Sequence, residues 1–162
     1  RPRDEFVISS KVGRILEPSP ETADRQDDLG FAVPAATRRV WDFSRDGILR
    51  SFEATLARTG LDRIDVPYLH DPDDHFEQAS TEAIDALIEL RDQGVVGAVG
   101  AGMNYAEPLA ELIRRADVDQ VMVAGRYTLL DHSAFDELLP LDRLAQIPDG
   151  SQGQSRLFMI VA

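Results

Sequence analysis

The sequence predicts an α/β fold built around a parallel sheet. Short apolar runs alternate along the chain with segments of helical period, in the order strand, helix, strand, helix, strand, helix, strand. This alternation is typical of parallel strands joined by right-handed crossover connections. The 162 residues are enough for one domain with a sizeable core. They are too few for a complete eight-stranded α/β barrel, which takes roughly 250 residues.

The first third of the sequence predicts one strand, one long loop and one helix. Residues 6–12 form an apolar run that Gly13 ends, as expected of a short buried strand. Residues 14–43 lack a sustained period and are interrupted by Pro and Gly, so a long loop is expected. Ser44 is a suitable N-cap for the following helix, and Gly60 closes it. Apolar residues spaced four apart mark the helix face, namely Ile48, Phe52 and Leu56.

The middle of the sequence predicts two helices between further strands. Apolar runs indicate these strands at 64–69, 95–99 and 118–123. The first helix opens at Ser80 or Thr81 and ends at Gly94. The second begins with Asn104 and Glu107, whose spacing resembles a capping box.

The pattern deteriorates after about Leu141. Residues 149–155 are polar and rich in turn formers, and 157–162 form a short apolar end. We therefore expect residues 1–141 to form the folded body and 142–162 to form a disordered tail with an exposed, sticky terminus.

Composition narrows the class of protein. Lys and Arg number 17 against 29 Asp and Glu, a formal net charge of -12, which disfavours binding to nucleic acid or anionic lipid. A protein with a small-molecule ligand is the better expectation. The absence of cysteine excludes disulfides and thiolate metal sites. No signal peptide or membrane-length apolar run is present, which favours the cytoplasm. The start at Arg1 suits a fragment or a processed product.

Lys11 and His70 are the candidate reactive residues. Each ends a strand-like run, and the carboxyl ends of parallel strands are where ligands and catalytic groups collect. A lysine there can form a Schiff base, lower the pKa of a neighbouring acid or hold an anion. A histidine there can polarise a carbonyl or move a proton. The local pattern also fits a solvated lysine and a structural histidine.

Three other patterns predict no site of their own. The segment 70–75 holds two His and three Asp, but it lacks a metal-ligand spacing, so no metal site is expected. The glycines within 97–102 do not have the spacing of a dinucleotide fingerprint. Trp41 and Phe43 are interpreted as fastening the long loop to the body rather than lining a pocket.

An ordered set of motifs resembles the aldo-keto reductase family. The motifs lie at 6–14 (Phe-Val-Ile-Ser-Ser-Lys-Val-Gly-Arg), 42–47, 60–65, 68–73 (Tyr-Leu-His-Asp-Pro-Asp), 94–104 and 124–131. The resemblance covers residues 1 to about 141 and is nearest to the aldose 1-dehydrogenase branch, which includes fucose and threo-aldose dehydrogenases. It implies an incomplete (β/α)8 TIM barrel, with about four parallel strands and their helices, that lacks the first and last strands.

The resemblance also implies site residues. In the family an Asp, a Tyr, a Lys and a His act together: Tyr exchanges the proton, Lys lowers its pKa, Asp supports Lys, and His orients the carbonyl. By motif, Lys11 is the lysine and His70 the histidine. Asn104 and Tyr127 are the expected contacts of the cofactor, NAD or NADP. The substrate is expected to be a small sugar or aldehyde.

The chain departs from the family pattern at both ends. The family's Asp and Tyr lie before its lysine strand, and its last strands would follow Leu141. We therefore expect a fragment of an oxidoreductase that oxidises an aldose at C1 or reduces a related carbonyl. The fragment should be inactive alone, because missing acid-base groups cost about 10²–10⁴ in rate. One alternative is a non-catalytic half-barrel that self-associates or complements another chain. Another is a Schiff-base lyase that uses Lys11.

Overall fold

The computed structural model describes residues 1–141 and the backbone of residues 158–161. The strands are β1 Ser9–Val12, β2 Arg14–Pro18, β3 Thr37–Trp41, β4 Val66–His70, β5 Gly100–Met103, β6 Gln120–Val123 and β7 Phe158–Val161. The helices are α1 Arg45–Thr59, α2 Phe76–Gln78, α3 Ile84–Asp92, α4 Ala106–Arg115 and α5 Ser133–Glu137. No helix among the described residues has both the length and the apolar character needed to cross a membrane.

Five strands form one parallel sheet in the order β1-β4-β5-β6-β7. Helices connect its successive strands, so the predicted α/β fold with a parallel sheet is confirmed. The strands β2 and β3 form a separate antiparallel pair that is inserted between β1 and α1. This pair stands at the carboxyl end of β1, beside the edge of the sheet where ligands bind in such folds.

The predicted long loop at 14–43 is wrong in part, because it contains the β2–β3 hairpin. Arg14 is paired with Trp41 at one end of this hairpin, and Pro18 with Thr37 at the other. Cross-strand partners Glu17 and Arg38 also form an exposed ion pair of 2.7 Å. Both faces of the hairpin carry polar side chains, so the apolar alternation that normally reveals a strand is missing.

The third predicted strand is displaced along the chain. Residues 95–99 were expected to form it, but β5 is Gly100–Met103. The backbone before β5 forms other hydrogen bonds: the Val95 amide donates to the Leu90 carbonyl at 2.9 Å in a turn, and the Gly97 amide donates to the distant Asp65 carbonyl at 2.8 Å. Similarly, β1 begins at Ser9 rather than residue 6, because the amide of Ile8 donates to the Asp65 carboxylate at 2.7 Å.

Helix α1 begins and ends where its sequence signals predict. The Ser44 hydroxyl accepts a hydrogen bond from the Gly47 amide at 3.1 Å, which satisfies one of the free amides of the first turn. Gly60 ends the helix in the left-handed conformation, with φ of 66°. Ile48 and Phe52 are buried against the sheet, as the predicted apolar face requires.

The starts of the next two long helical segments differ from prediction. The first begins at Phe76 and passes through a π-helical turn at Ala79–Ala83 before α3. The hydroxyl of Thr81 donates back to the Glu77 carbonyl at 2.8 Å, so it lies inside the helix and does not cap it. The capping box expected at Asn104 is not formed either, because the N-cap of α4 is Tyr105, one residue later.

The two faces of the parallel sheet differ in character. One face packs against the helices and supplies the core, including Val12, Leu69, Ala101 and Val121, which are fully buried. The register aligns residues of the opposite face across four strands, namely Lys11, Tyr68, Gly100 and Gln120. This second face is polar, so the sheet presents functional groups on the side away from its helices.

The expected tail is only partly within the described residues. Residues 158–161 form β7, parallel to β6, so the expectation of a disordered tail is wrong for these four residues. Without β7, this edge of β6 would carry unpaired amides and carbonyls. Pairing with β7 satisfies them. Residues 142–157 and residue 162 lie outside the described residues.

We predict that Gly100→Ala destabilises the sheet. A Cβ at this position would overlap the backbone carbonyl of Gln120 and lie 3.3 Å from the Tyr68 ring, and strand backbones cannot move apart cheaply. The free energy of unfolding, measured with urea, should fall by about 3 kcal/mol. Gly97→Ala is the matched control, because its nearest neighbour is the Asp65 carbonyl at 3.5 Å, an ordinary contact. Equal losses in the two variants would contradict this assignment.

Candidate active site

Lys11 and His70 lie together at the carboxyl edge of the sheet. Strand β1 is adjacent to β4, and Lys11 is aligned with Tyr68, two residues before His70. The side chains of Lys11 and His70 therefore emerge on the same face. Both meet Gly102 of β5: His70 is its register partner, and the Lys11 side chain extends over it. The structure thus brings the two candidate reactive residues into one place.

Gly102 provides the space that the lysine occupies. A Cβ at this position would lie 3.4 Å from Cε and 3.6 Å from Nζ of Lys11. The half-buried side chain of Lys11 therefore crosses β4 and ends over β5, two strands from its own backbone. Any larger side chain at residue 102 would compete for this position. Lys11 is also the single lysine of the chain.

His70 is neutral near physiological pH. Burial lowers its pKa, the positive charges of Lys11 and Arg14 lower it further, and Asp71 opposes them. The resulting pKa is about 4, compared with 6.5 for an unperturbed histidine. A neutral imidazole has one N–H group, which can donate a hydrogen bond to a carbonyl oxygen as negative charge develops there.

Asp71 is held against this imidazole by an unusual backbone conformation. Its φ is 43°, and it is the only non-glycine residue with positive φ in the described part of the chain. The Asp71 amide donates to the Gly102 carbonyl at 2.9 Å, which extends the β4–β5 pairing by one residue. This arrangement places Oδ2 of Asp71 3.4 Å from Nε2 of His70.

Tyr68 and Gln120 form the next layer below His70. The Tyr68 hydroxyl donates to the Gln120 side-chain oxygen across Gly100, which has no side chain to block the contact. Burial raises the pKa of Tyr68, so the phenol stays protonated. We infer that Tyr68 supports the site from below through its hydrogen bond to Gln120 and is not the proton donor of the site. Tyr68 was not predicted as a site residue, although residues two apart on a strand, such as Tyr68 and His70, lie on the same face.

Arg14 is a second cation at the site, beside Lys11. Its Nη1 lies 3.4 Å from Nε2 of His70, and its guanidinium lies over the Trp41 ring, 4.9 Å from the centroid. Arg14 was not predicted as a site residue, because it falls in the segment predicted as a loop. Trp41 therefore supports a residue of the site. Phe43 does fasten the hairpin, because its buried ring covers Gly13.

Asn104 and Tyr127 lie on the same edge, after the next two strands. Asn104 follows β5 and is exposed, and its carbonyl accepts a hydrogen bond from Nε of Arg126 at 2.6 Å. Tyr127 follows β6 and stacks on Phe135, with 6.4 Å between the ring centroids. It lines a cavity of about 560 Å³ whose other walls are Thr128, Leu129, His132 and Phe135. Their role as cofactor contacts stays a prediction.

The His and Asp side chains of the segment 70–75 do not point toward a common site. The ring of His75 packs against Phe43, with centroids 5.6 Å apart, whereas His70 faces Arg14. Among the described residues, no group of three or more His, Asp or Glu side chains is placed to hold a metal ion.

The depressed pKa of His70 predicts a pH-dependent stability. Unfolding restores the ordinary value of 6.5, so the unfolded chain binds a proton between pH 6.5 and about 4 that the folded chain does not. Stability contributed by neutral His70 is therefore lost as the pH falls through this window. The wild type should lose about 1 to 2 kcal/mol more than His70→Asn between about pH 7 and about pH 5 in urea unfolding.

The exposed His75 supplies the matched control for this measurement. His75→Asn removes a histidine from the segment that follows β4 and should retain the wild-type pH dependence. If His70→Asn and His75→Asn change the pH dependence equally, the environment assigned to His70 is wrong.

Known proteins with similar sequences carry the names of dehydrogenases and reductases. A model of the aldo/keto reductase family matches residues 1–147. The chain is 48% identical over 143 residues to D-threo-aldose 1-dehydrogenase of Pseudomonas sp, covering 86% of this chain and 44% of that protein. It is 35% identical over 152 residues to pyridoxal 4-dehydrogenase of Microbacterium luteolum, covering 83% of this chain and 44% of that protein.

A solved structure supports the same relationship at the level of fold. The chain matches the glycerol dehydrogenase of Gluconobacter oxydans with a TM-score of 0.62 at 18% identity, covering 89% of this chain and 38% of that one. This chain therefore spans less than half the length of the relatives that it matches. Its sheet is an incomplete (β/α)8 barrel, as the resemblance implied. The chain belongs to the aldo/keto reductase family.

Proposed function

We propose that this chain is part of a cytoplasmic, NAD(P)-dependent oxidoreductase in which Lys11 and His70 are catalytic. The parent reaction is oxidation of an aldose at C1 or reduction of a related carbonyl. One observation carries this proposal: a lysine and a neutral imidazole converge over Gly102 at the carboxyl edge of the sheet. The 48% identity to D-threo-aldose 1-dehydrogenase supports the substrate class.

The two side chains have complementary chemical roles in such a reaction. Neutral His70 can donate its N–H to the substrate oxygen, which becomes more negative as a carbonyl turns into an alkoxide. A protonated histidine would also donate, but the nearby positive charges and burial disfavour that state. The Lys11 ammonium stabilises an adjacent anion, such as the phenolate that the family uses for proton exchange.

The residues at the cofactor end of the site fit a nicotinamide ring. Asn104 is an exposed carboxamide, which can exchange hydrogen bonds with the carboxamide of nicotinamide. Tyr127 is 45% exposed and lines an apolar cavity, so it offers an aromatic face to a planar ring. We propose that these two residues hold the cofactor, NAD or NADP, which supplies or accepts the hydride.

We predict that the isolated 162-residue chain is nearly inactive. It supplies two of the four groups that act together in the family, and each missing acid-base group costs about 10²–10⁴ in rate. The assay is NAD(P)-dependent oxidation of L-fucose and D-arabinose by the purified chain, with Lys11→Ala as the background. Oxidation above that background would contradict the prediction.

Co-expression with the missing parts of the barrel tests the proposed function directly. The partners are the segments of D-threo-aldose 1-dehydrogenase that precede and follow the region matched by this chain. Aldose oxidation should appear in the complemented protein and fall about 10²-fold or more in Lys11→Met and in His70→Ala. Arg38→Met, an exposed change on the hairpin, is the control that should keep activity. Full activity in Lys11→Met would overturn the assignment.

The open edge of β1 supports a second candidate, a half-barrel that associates with another chain. Within the described residues β1 pairs with β4 alone, so its other edge carries unpaired amides and carbonyls. Phe6 and Val7, just before β1, are exposed as well. Because such edges pair with other strands, we predict that the isolated chain forms dimers or larger species in gel filtration with light scattering. A well-folded monomer at all concentrations would count against this candidate.

A further inference from the structure

Arg14 is placed beside the site by the turn that begins the hairpin. Gly13 lies between β1 and β2 with φ of 91°, and the Phe43 ring occupies the space where a side chain at Gly13 would stand, 2.5 Å from an added Cβ. Arg14, the next residue, begins β2, and its Nη1 lies 3.4 Å from Nε2 of His70. The guanidinium therefore reaches β4 from a different element than Lys11 does.

Trp41 holds the Arg14 side chain in place. The two residues are direct cross-strand partners, and the guanidinium lies 4.9 Å from the centroid of the indole ring. Such a cation–π contact is stronger when it is shielded from water. The other hairpin arginines in contact with carboxylates, Arg38 and Arg39, form ion pairs of 2.7 and 2.6 Å. Within the described part of the chain, Arg14 forms no ion pair and its buried Nε has no hydrogen-bond partner.

The contact between Arg14 and His70 has only one possible polarity. A guanidinium donates hydrogen bonds and cannot accept them, so Nε2 of His70 must be the acceptor in the 3.4 Å contact with Nη1. A ring nitrogen that accepts carries no proton. As a hydrogen bond, this contact therefore requires a neutral ring whose proton is on Nδ1.

Asp71 favours the opposite protonation state of the same nitrogen, Nε2 of His70. Its Oδ2 lies 3.4 Å from Nε2 and, being an acceptor, favours the ring with a proton at that position. The charged groups that face His70 are Lys11 from β1, Arg14 from β2 and Asp71 from the segment after β4. The facing residue of β5 is Gly102, which has no side chain. Protonation at Nε2 thus depends on the balance between one arginine and one aspartate.

We propose that Arg14 is a positioning residue for His70, which holds the imidazole neutral with its proton on Nδ1. When a ligand oxygen takes the arginine's place, Nδ1 releases its proton to solvent, Nε2 takes one from solvent, and the Nε2–H group donates to that oxygen. The 3.4 Å separation is at the outer limit of a hydrogen bond, so the contact can be exchanged for a ligand. The proposal rests on the proposed function only in treating His70 as the group that orients the carbonyl.

The test is NMR of the histidine ring in the 162-residue chain, as a function of pH. Long-range ¹H–¹⁵N correlations report which ring nitrogen carries the proton and at which pH the second one binds. In the wild type, His70 should be the Nδ1–H tautomer. In Arg14→Met the ring should gain Nε2–H character, and its pKa should rise by about one unit because a positive neighbour is lost. Arg38→Met is the matched control, since it removes an exposed hairpin arginine.

Two further variants keep the test decisive. Asp71→Asn should shift the pKa of His70 downward, because the group that favours the charged ring is removed. Arg14→Gln, whose neutral amide can accept as well as donate a hydrogen bond, should lose the tautomer preference and is the substitute if Arg14→Met does not fold. An unchanged His70 tautomer in Arg14→Gln or Arg14→Met would overturn the proposal. The readout needs no turnover, so failure of the proposed enzyme activity would be recognised separately.

Discussion

The parallel pairing of β1, β4 and β5 is the constraint on which the site depends. This register places Lys11, Tyr68 and His70 on one face and sets two glycines of β5 opposite them. Because Gly100 and Gly102 have no side chains, long side chains from neighbouring strands can lie across β5. Tyr68 uses the lower gap to reach Gln120, and Lys11 uses the upper one. The glycines thus make room on this face for side chains from neighbouring strands.

The local charge around His70 differs in sign from the net charge of the chain. The formal net charge is -12, but the charged groups that face His70 are two cations and one aspartate. Burial adds to their effect, since removing water disfavours the charged imidazole. The result is a neutral hydrogen-bond donor next to an ammonium. That combination suits a reaction in which a carbonyl oxygen gains negative charge.

Much of the fold was predictable because local signals and tertiary contacts agree there. Ser44 and Gly60 bound α1 as expected, since capping involves only backbone groups within one turn. The strand at Gly100–Met103 was not predictable, because a glycine-rich segment becomes a strand only when partners on both sides supply its hydrogen bonds. The β2–β3 hairpin was missed for a related reason: its pairing is satisfied across the chain, without an apolar pattern to reveal it.

By itself the sequence determined the α/β alternation, the family resemblance, and the placement of Lys11 and His70 at the ends of strands. Those properties depend on the order of residues along the chain. Only the tertiary structure decided that Arg14, from a segment predicted as a loop, shares the site with His70. It also decided that the imidazole is neutral. Contacts between separate elements, and the loss of water they cause, have no signature in the local pattern, since they depend on which strands become neighbours.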